Sequence, residues 1–244
     1  MNITDRRRIL GPSNAKPLIF EKPESSEQEV QQPQEKSNVE NESMYIKNGL
    51  VSNANGSSYL ELKNGELSEQ CTILLTSVYG PRPSRGAFSS KASLSVQFKE
   101  VTIEKIPSGE LKEICNFLSN IFSAVINLER YPKSGIDIFL SLVQNPTTSD
   151  EGNLQPIIAA CVNGITLALA DAGIEIFDTV SAGTYKRNVV AFSKNGTEVV
   201  GLWKDKEDDT ENNILNVIES CKESYLKNRK VIIEYLIRSR DADI

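Results

Sequence analysis

Short runs in which apolar and polar residues alternate fill the chain from residue 45 to about residue 98. An alternation with a period of two is typical of β-strands that bury one face. Turn-forming Asn-Gly pairs at 55–56 and 64–65 lie between these runs. The pattern predicts an antiparallel meander of four strands joined by hairpins, with runs that begin at Tyr45, Ser57, Cys71 and Ala92.

The pattern then changes to a helical spacing of three or four residues. Ser108 is a suitable N-cap for a first helix, whose single apolar stripe contains Leu111, Ile114, Leu118, Ile121, Phe122 and Val125. The largely apolar run 136–143 predicts a strand that is buried on both faces. A second helix, rich in small residues and apolar nearly all round, is predicted from Pro156 to just before Gly173.

The last third of the chain predicts three strands and one long helix. The strands are SAG, NVVAFS and TEVVGLW, and Asn195-Gly196 forms the hairpin between the last two. A helix from about Thr210 then reaches the end of the chain, with acidic residues first and basic residues last, as the helix dipole favours. The order strands, helix, strand, helix, strands, helix predicts an α+β (mixed α/β) fold for a single domain, 44–244.

Charge divides the N-terminal part into two segments. Residues 1–20 form a basic segment that includes Arg6, Arg7 and Arg8. Residues 21–43 contain seven glutamates, two lysines and almost no apolar residues, so we predict an acidic, disordered linker or loop. The formal net charge of the whole chain is −6, which excludes a globally basic nucleic-acid binder.

The composition excludes several kinds of chemistry. The 244 residues include no histidine, so no Ser-His-Asp triad and no His-ligated metal site can form. The four cysteines are 44 or more residues apart, which favours reduced, buried thiols over a metal or redox site. No GxGxxG, GxxxxGK or GxSxG motif occurs, and no apolar run is long enough for a membrane span. The acidic cluster 205–211 is interpreted as a solvated helix cap, because acidic residues are favoured at a helix start.

Two loops contain the basic candidates for a binding site. Arg82 and Arg85 lie in a Pro- and Gly-rich loop after a strand, and Arg130 and Lys133 lie in the loop before the run 136–143. Loops on a rigid scaffold are frequent binding sites. These four residues are therefore candidates for contact with RNA or with phosphate.

Four longer motifs occur in order: GSSYLELKNG, CTILLTSVYGPR, LERYPKSGIDIF and ITLALADAGIEIFD. Together they resemble the successive motifs of the RNase PH family, over roughly residues 45–203. DRRRILGP and the basic-then-acidic N-terminus resemble most closely the branch that forms the ring of the eukaryotic RNA exosome. The resemblance implies an RNase PH-like fold, with helices packed on a mixed sheet. It also implies assembly as one of six related subunits around a channel for RNA.

Active members of this family degrade RNA from the 3′ end by phosphorolysis. The resemblance places their phosphate-binding Gly-Thr-Arg at Pro156, Ile157 and Ile158 of this chain. Proline has no N–H and isoleucine has no charge, so a phosphate cannot be held there in the family's way. The strand pair that carries the family's catalytic carboxylate is also missing, since helical spacing follows the acidic turn directly. We therefore expect no catalytic residues, no metal and no cofactor.

The function implied is that of a non-catalytic structural subunit of the RNA exosome ring, which supports 3′-to-5′ RNA processing and degradation and lines part of the channel. Arg82, Arg85, Arg130 and Lys133 match family positions that face this channel. The partners implied are sister ring subunits, cap subunits with OB-fold or KH-type domains, a hydrolytic nuclease subunit and RNA, without a membrane. The expected localisation is the nucleus, the nucleolus and the cytoplasm.

Two other functions stay open at this point. One is an active phosphate-dependent 3′-to-5′ exoribonuclease. The other is an unrelated small-molecule enzyme that uses Asp171 or Asp178, although Asp171 is more simply the polar C-terminal residue of its helix.

Overall fold

The computed structural model describes residues 44–63, 71–101, 108–144, 154–204 and 214–242. The strands are β1 (Met44–Asn48), β2 (Gly56–Lys63), β3 (Cys71–Pro83), β4 (Ser93–Val101), β5 (Ser134–Gln144), β6 (Ser181–Tyr185), β7 (Asn188–Ser193) and β8 (Glu198–Trp203). The helices are α1 (Ser108–Val125), α2 (Gln155–Asp171) and α3 (Ile214–Ala242). This order confirms the expected α+β class. The segments 1–20 and 21–43, the Asn-Gly pair 64–65 and the acidic cluster 205–211 lie outside the described residues.

Five strands form one mixed sheet in the order β1-β2-β3-β5-β4. Neighbours are antiparallel except β4 and β5, which run parallel. The prediction of a four-strand meander is therefore wrong for β4, which is separated from β3 by β5. A parallel pair needs a crossover connection, and α1 supplies it between β4 and β5. The period-two pattern identified the strand but contained no information about its partner.

The last three strands form a separate antiparallel sheet in the order β6-β7-β8, so they do not extend the mixed sheet. The predicted hairpin between β7 and β8 is confirmed. Asn195 has φ 58° and Gly196 has φ 79°, and both residue types tolerate this left-handed conformation. The Asn-Gly pair therefore determines where the chain turns.

Helix α2 is the centre of the core and packs against β2, β3, β6 and β7, so it contacts both sheets. Residues 157–169 are buried without interruption, which confirms a helix that is apolar nearly all round. Its two unusual residues have structural reasons. The buried Asn163 side chain accepts hydrogen bonds from Ser181 and from the Ala182 amide, at 2.8 and 3.0 Å. A Cβ at Gly164 would lie 2.8 Å from Oγ1 of Thr76, so glycine permits close packing of α2 on β3.

Strand β5 lies in the interior of the mixed sheet but is buried on one face only. The residues facing the core are Ile136, Ile138, Leu140 and Leu142. The alternate residues are partly exposed, and Val143 is 46% exposed. The prediction of burial on both faces is therefore wrong, because the helices that pack on this sheet cover the even-numbered side of β5.

The other two helices close the core from different sides. Helix α1 buries the predicted stripe from Ile114 to Val125, while Leu111 is half-exposed, and it packs on β4 and β8. Helix α3 packs on β6 and β7, where the Tyr225 ring lies 5.0 Å from the Phe192 ring. Asp178 accepts a hydrogen bond from the Arg229 guanidinium at 3.5 Å, which ties α3 to the segment before β6.

Candidate nucleic-acid interface

The end of β3 is bent so that Arg82 returns to the face occupied by Tyr79. Tyr79 pairs with Asp137 of β5, but Arg82 pairs with Gly135, so β3 contains one more residue than β5 over this stretch. An extra residue of this kind is a β-bulge, which redirects the following side chain. The Arg82 guanidinium accordingly lies 4.7 Å from the centre of the Tyr79 ring.

Main-chain hydrogen bonds hold two loops side by side next to this bulge. The Ser84 amide donates to the Lys133 carbonyl at 3.0 Å, and the Lys133 amide donates to the Ser89 carbonyl at 2.9 Å. The Ala92 amide donates to the Leu128 carbonyl at 3.0 Å. We call residues 82–92 and 127–133 the basic loop pair. Arg82, predicted to lie in the loop after the strand, is in fact the second-to-last residue of β3. The structure therefore brings the four predicted basic residues together, although two of them lie about 50 residues from the other two.

The four predicted residues are all exposed, but their partners differ. Arg82 stacks on Tyr79, and Arg130 forms an exposed ion pair with Glu175 at 3.5 Å. Among the described residues, no carboxylate lies within ion-pair distance of Arg85 or Lys133. Exposed ion pairs are weak, so a phosphate can compete for Arg130 at little cost.

The sequence reasoning missed Lys91, which belongs to the same surface. Its ammonium group pairs with Glu129 at 3.0 Å, and both side chains are exposed. The sequence could have identified Lys91, since it is a basic residue that follows Arg85 in the same loop. A surface of exposed cations held on main-chain hydrogen bonds can bind phosphates by charge, without reading bases.

Pro156, Ile157 and Ile158, which the sequence resemblance aligns with the family's phosphate loop, lie in the first turn of α2. The Ile157 and Ile158 side chains are fully buried, and the Ile158 amide donates to the Leu154 carbonyl at 3.0 Å. Pro156 occupies the start of the helix, where a missing N–H is tolerated. These three residues contribute apolar packing and helix geometry at this end of α2.

The two aspartates considered for small-molecule chemistry both have structural partners. Asp171 accepts a hydrogen bond from the Ser57 amide at 2.8 Å, which fixes the end of α2 to β2. Asp178 accepts from the amides of Thr179 and Lys194 and from Arg229. Each carboxylate therefore satisfies main-chain or arginine donors at a junction of the fold.

All four cysteines are free thiols. Burial raises the pKa of the Cys115, Cys161 and Cys221 thiols, for Cys221 to about 11, because the thiolate is poorly solvated there. Within the described ranges, no group of three or more metal-ligating side chains occurs. No helix in the part of the chain that the structure describes is long and apolar enough to cross a membrane.

Comparison with known proteins identifies the family. Residues 40–175 match the RNase PH family, described as "3′ exoribonuclease family, domain 1". The chain belongs to the RNase PH family. The matched residues of this family member extend from β1 to just beyond α2, so they include the basic loop pair and the first turn of α2.

Relatives of this RNase PH family member agree with the match. It is 32% identical over 201 residues to "Exosome complex component MTR3" of Chaetomium thermophilum, which covers 74% of this chain and 70% of the relative. It is 31% identical over 207 residues to "Exosome complex component mtr3" of Schizosaccharomyces pombe. That match covers 80% of this chain and 70% of the relative. It is 38% identical to "Putative exosome complex component RRP41" of Caenorhabditis briggsae, but spans only about half (54%) of that relative.

A solved structure shows the same fold. Rice (Oryza sativa) Rrp46 matches 80% of this chain and 94% of its own, with a TM-score of 0.59 and 18% sequence identity. The RNase PH-like fold expected from the sequence motifs is thereby confirmed.

Proposed function

We propose that this chain is a non-catalytic, structural subunit of the RNA exosome ring and that it supports 3′-to-5′ RNA processing and degradation. Two relatives with the MTR3 name, each similar over most of this chain, support the assignment to the exosome. The one observation that carries the non-catalytic part is the first turn of α2. There, two buried isoleucines and a proline occupy the positions that the sequence resemblance aligns with the family's phosphate loop.

The reason is chemical. Phosphorolysis requires the attacking phosphate to be held in line with the terminal phosphodiester and an acid to assist the leaving oxygen. Ile157 and Ile158 point into the core and offer no charge, and Pro156 offers no N–H. Removal of one positioned acid or base commonly costs ~10² to 10⁴ in rate. A chain that lacks the phosphate site and the acid is expected to have no measurable activity.

A phosphorolysis assay tests this part of the proposal. The chain is assembled with partner subunits that have separately been shown to be inactive, and is given RNA, inorganic phosphate and Mg²⁺. No nucleoside diphosphates should form. A second sample with Gly-Thr-Arg placed at 156–158 should also stay inactive, because the carboxylate is still absent. Release of nucleoside diphosphates by the unmodified assembly would support the alternative of an active exoribonuclease.

The second part of the proposal is that the basic loop pair contacts the RNA backbone. Charge reversal of Arg82, Arg85, Arg130 and Lys133 to glutamate should weaken binding of single-stranded RNA. It should also flatten the dependence of log affinity on log salt by ~0.7 to 1 unit for each phosphate that the variant no longer neutralises.

The matched control replaces four exposed lysines on other elements by glutamate. These are Lys47, Lys63, Lys227 and Lys230. The control keeps the overall change in charge but leaves the basic loop pair intact, so its salt slope should stay close to that of the wild type. Equal slopes for the two variants would remove the basic loop pair from the RNA path.

The partners follow from the same proposal. We expect sister ring subunits on both sides, cap subunits with OB-fold or KH-type domains, and a hydrolytic nuclease that performs the cutting. We expect the chain in the nucleus, the nucleolus and the cytoplasm. Mass spectrometry of complexes purified through this chain tests the partners, and fluorescence microscopy of a tagged chain tests the localisation. Recovery of a homohexamer would contradict the proposal.

A further inference from the structure

Phe88 is the most exposed large apolar side chain in the described part of the molecule, with 75% of its surface accessible. It lies in the basic loop pair, three residues after Arg85 and three before Lys91. Exposure of most of a phenyl ring to water is unfavourable, because removal of its apolar surface from water is stabilising. The position in a cationic loop indicates what kind of partner covers it.

The backbone around Phe88 is held in place, so the ring is presented from a fixed base. The Ser89 carbonyl accepts a hydrogen bond from the Lys133 amide at 2.9 Å. The Ser89 hydroxyl donates a hydrogen bond to the Lys91 carbonyl at 2.8 Å. The Lys91 amide donates back to the Ser89 hydroxyl oxygen at 3.3 Å. The residue directly after Phe88 is thus anchored to both loops, which reduces the ordering entropy that a ligand must offset.

A second exposed phenylalanine provides a contrast within the same chain. Phe177 is 69% exposed, but the cations next to its segment in the structure, Arg130 and Arg229, are already paired with Glu175 and Asp178. Phe88 follows Arg85 in the same loop and precedes Ser89, which binds the Lys133 amide, and neither Arg85 nor Lys133 has a carboxylate within ion-pair distance among the described residues. Single-stranded nucleic acids are bound without sequence preference by this combination of cations for phosphates and an aromatic ring for bases.

We propose that Phe88 stacks on a base of single-stranded RNA while the surrounding cations hold the flanking phosphates. This inference rests on the proposed contact between the basic loop pair and RNA, and adds a base contact to it. A stacking ring accepts any base, since every base has a π-face, so the site senses that bases are present and unpaired. Duplex RNA, whose bases are already stacked on each other, is excluded from this contact.

The test compares two oligonucleotides of equal length on the full chain assembled with its ring partners. One is a fluorescein-labelled oligouridylate, and the other has the same backbone without bases. Phe88→Ala and Phe88→Leu should weaken binding of the oligouridylate by about fivefold or more, the lower end of one stacking interaction. Binding of the base-free strand should stay unchanged. Phe88→Tyr should restore the affinity, because it retains the ring, and Phe177→Ala should behave as wild type.

Each other outcome overturns the inference. Equal losses on both strands would mean that Phe88 supports the loop without touching bases, and no loss on either would mean that it does not contact RNA. Failure of the Phe88→Ala chain to enter the complex would mean that the ring packs on a neighbouring subunit. The salt slope of the four charge reversals reports on the basic loop pair separately, so failure of the proposed RNA contact and failure of base stacking are distinguishable.

Discussion

Asn163 lies in the middle of the most buried helix. Its replacement by alanine measures how much its hydrogen bonds contribute to the free energy of unfolding. The Oδ1 atom accepts from the Ser181 hydroxyl and from the Ala182 amide, which are both buried at the start of β6. Asn163→Ala removes the acceptor and leaves both donors without that partner. The helix α2 and the three-stranded sheet then lose a polar connection between them.

The expected loss of stability follows from four contributions. A buried donor left without a partner costs about 1–3 kcal/mol, and two donors are affected. Alanine is the better helix former by about 0.6 kcal/mol, which offsets part of this cost. The Ser181 hydroxyl can rotate, so its contribution is at the lower end of the range. The buried Nδ2 group of Asn163 has no hydrogen-bond partner among the described residues, so its removal offsets a further part of the cost. The free energy of unfolding should therefore fall by about 1–3 kcal/mol, less than the total stability of a typical domain.

Urea unfolding of the full chain measures this change. Trp203 is the only tryptophan and lies 5.3 Å from the Phe117 ring, so its fluorescence reports on the packing of β8 on α1. Asn120→Ala, at an exposed position of α1, is the matched control and should be neutral or slightly stabilising. If Asn163→Ala unfolds within 0.5 kcal/mol of this control, a difference of about the size of a surface substitution, then the buried hydrogen bonds do not stabilise the fold.

Three further predictions concern packing and ionisation. Gly164→Ala should lower the free energy of unfolding by about 1–2 kcal/mol in the same urea assay, because crowding against β3 exceeds the gain in helix propensity. Cys161 and Cys221 should resist iodoacetamide at pH 8 in the folded chain and react in urea, since burial raises both pKa values, for Cys221 to about 11, and only the thiolate reacts. The hydrogen bond to Glu61 raises the pKa of Tyr59 to about 12, so the native state keeps a proton that the unfolded state loses near pH 10, and stability should fall between pH 10 and 12. Ultraviolet titration of the phenolate should show this pKa returning toward 10 in Glu61→Gln, and an unchanged pKa would contradict the assignment.

The sequence predicted the elements better than their partners. The stripe on α1 and the uniform apolar character of α2 follow from local spacing, and the structure confirms both. Pairing is not local, so nothing in the alternation of β4 indicated that β5 would lie between it and β3. The partly exposed face of β5 was missed although the sequence indicates it, because Asp137 and Ser141 occupy alternate positions on that face.

In the candidate site, too, the sequence predicted the residues but not their spatial arrangement. Residue type and loop position were sufficient to select the four basic residues. Their proximity depends on main-chain hydrogen bonds between distant loops, such as the bond from Ser84 to Lys133, and main-chain groups leave no mark on the sequence. The redirection of Arg82 onto Tyr79 depends on a bulge whose position is determined by pairing with β5.

The insertion of β5 between β3 and β4 has a consequence for the newly made chain. While the protein is being synthesised, β4 ends at Val101, but the only strand it pairs with in the described sheet ends about 40 residues later, at Gln144. At ~5–20 residues per second the ribosome needs about 2 to 8 seconds to supply that partner. During this interval the apolar side chains Leu94, Val96 and Phe98 lie on a strand whose native neighbour, β5, has not yet been made. A chaperone that binds extended apolar segments would find its target on this nascent chain in β4.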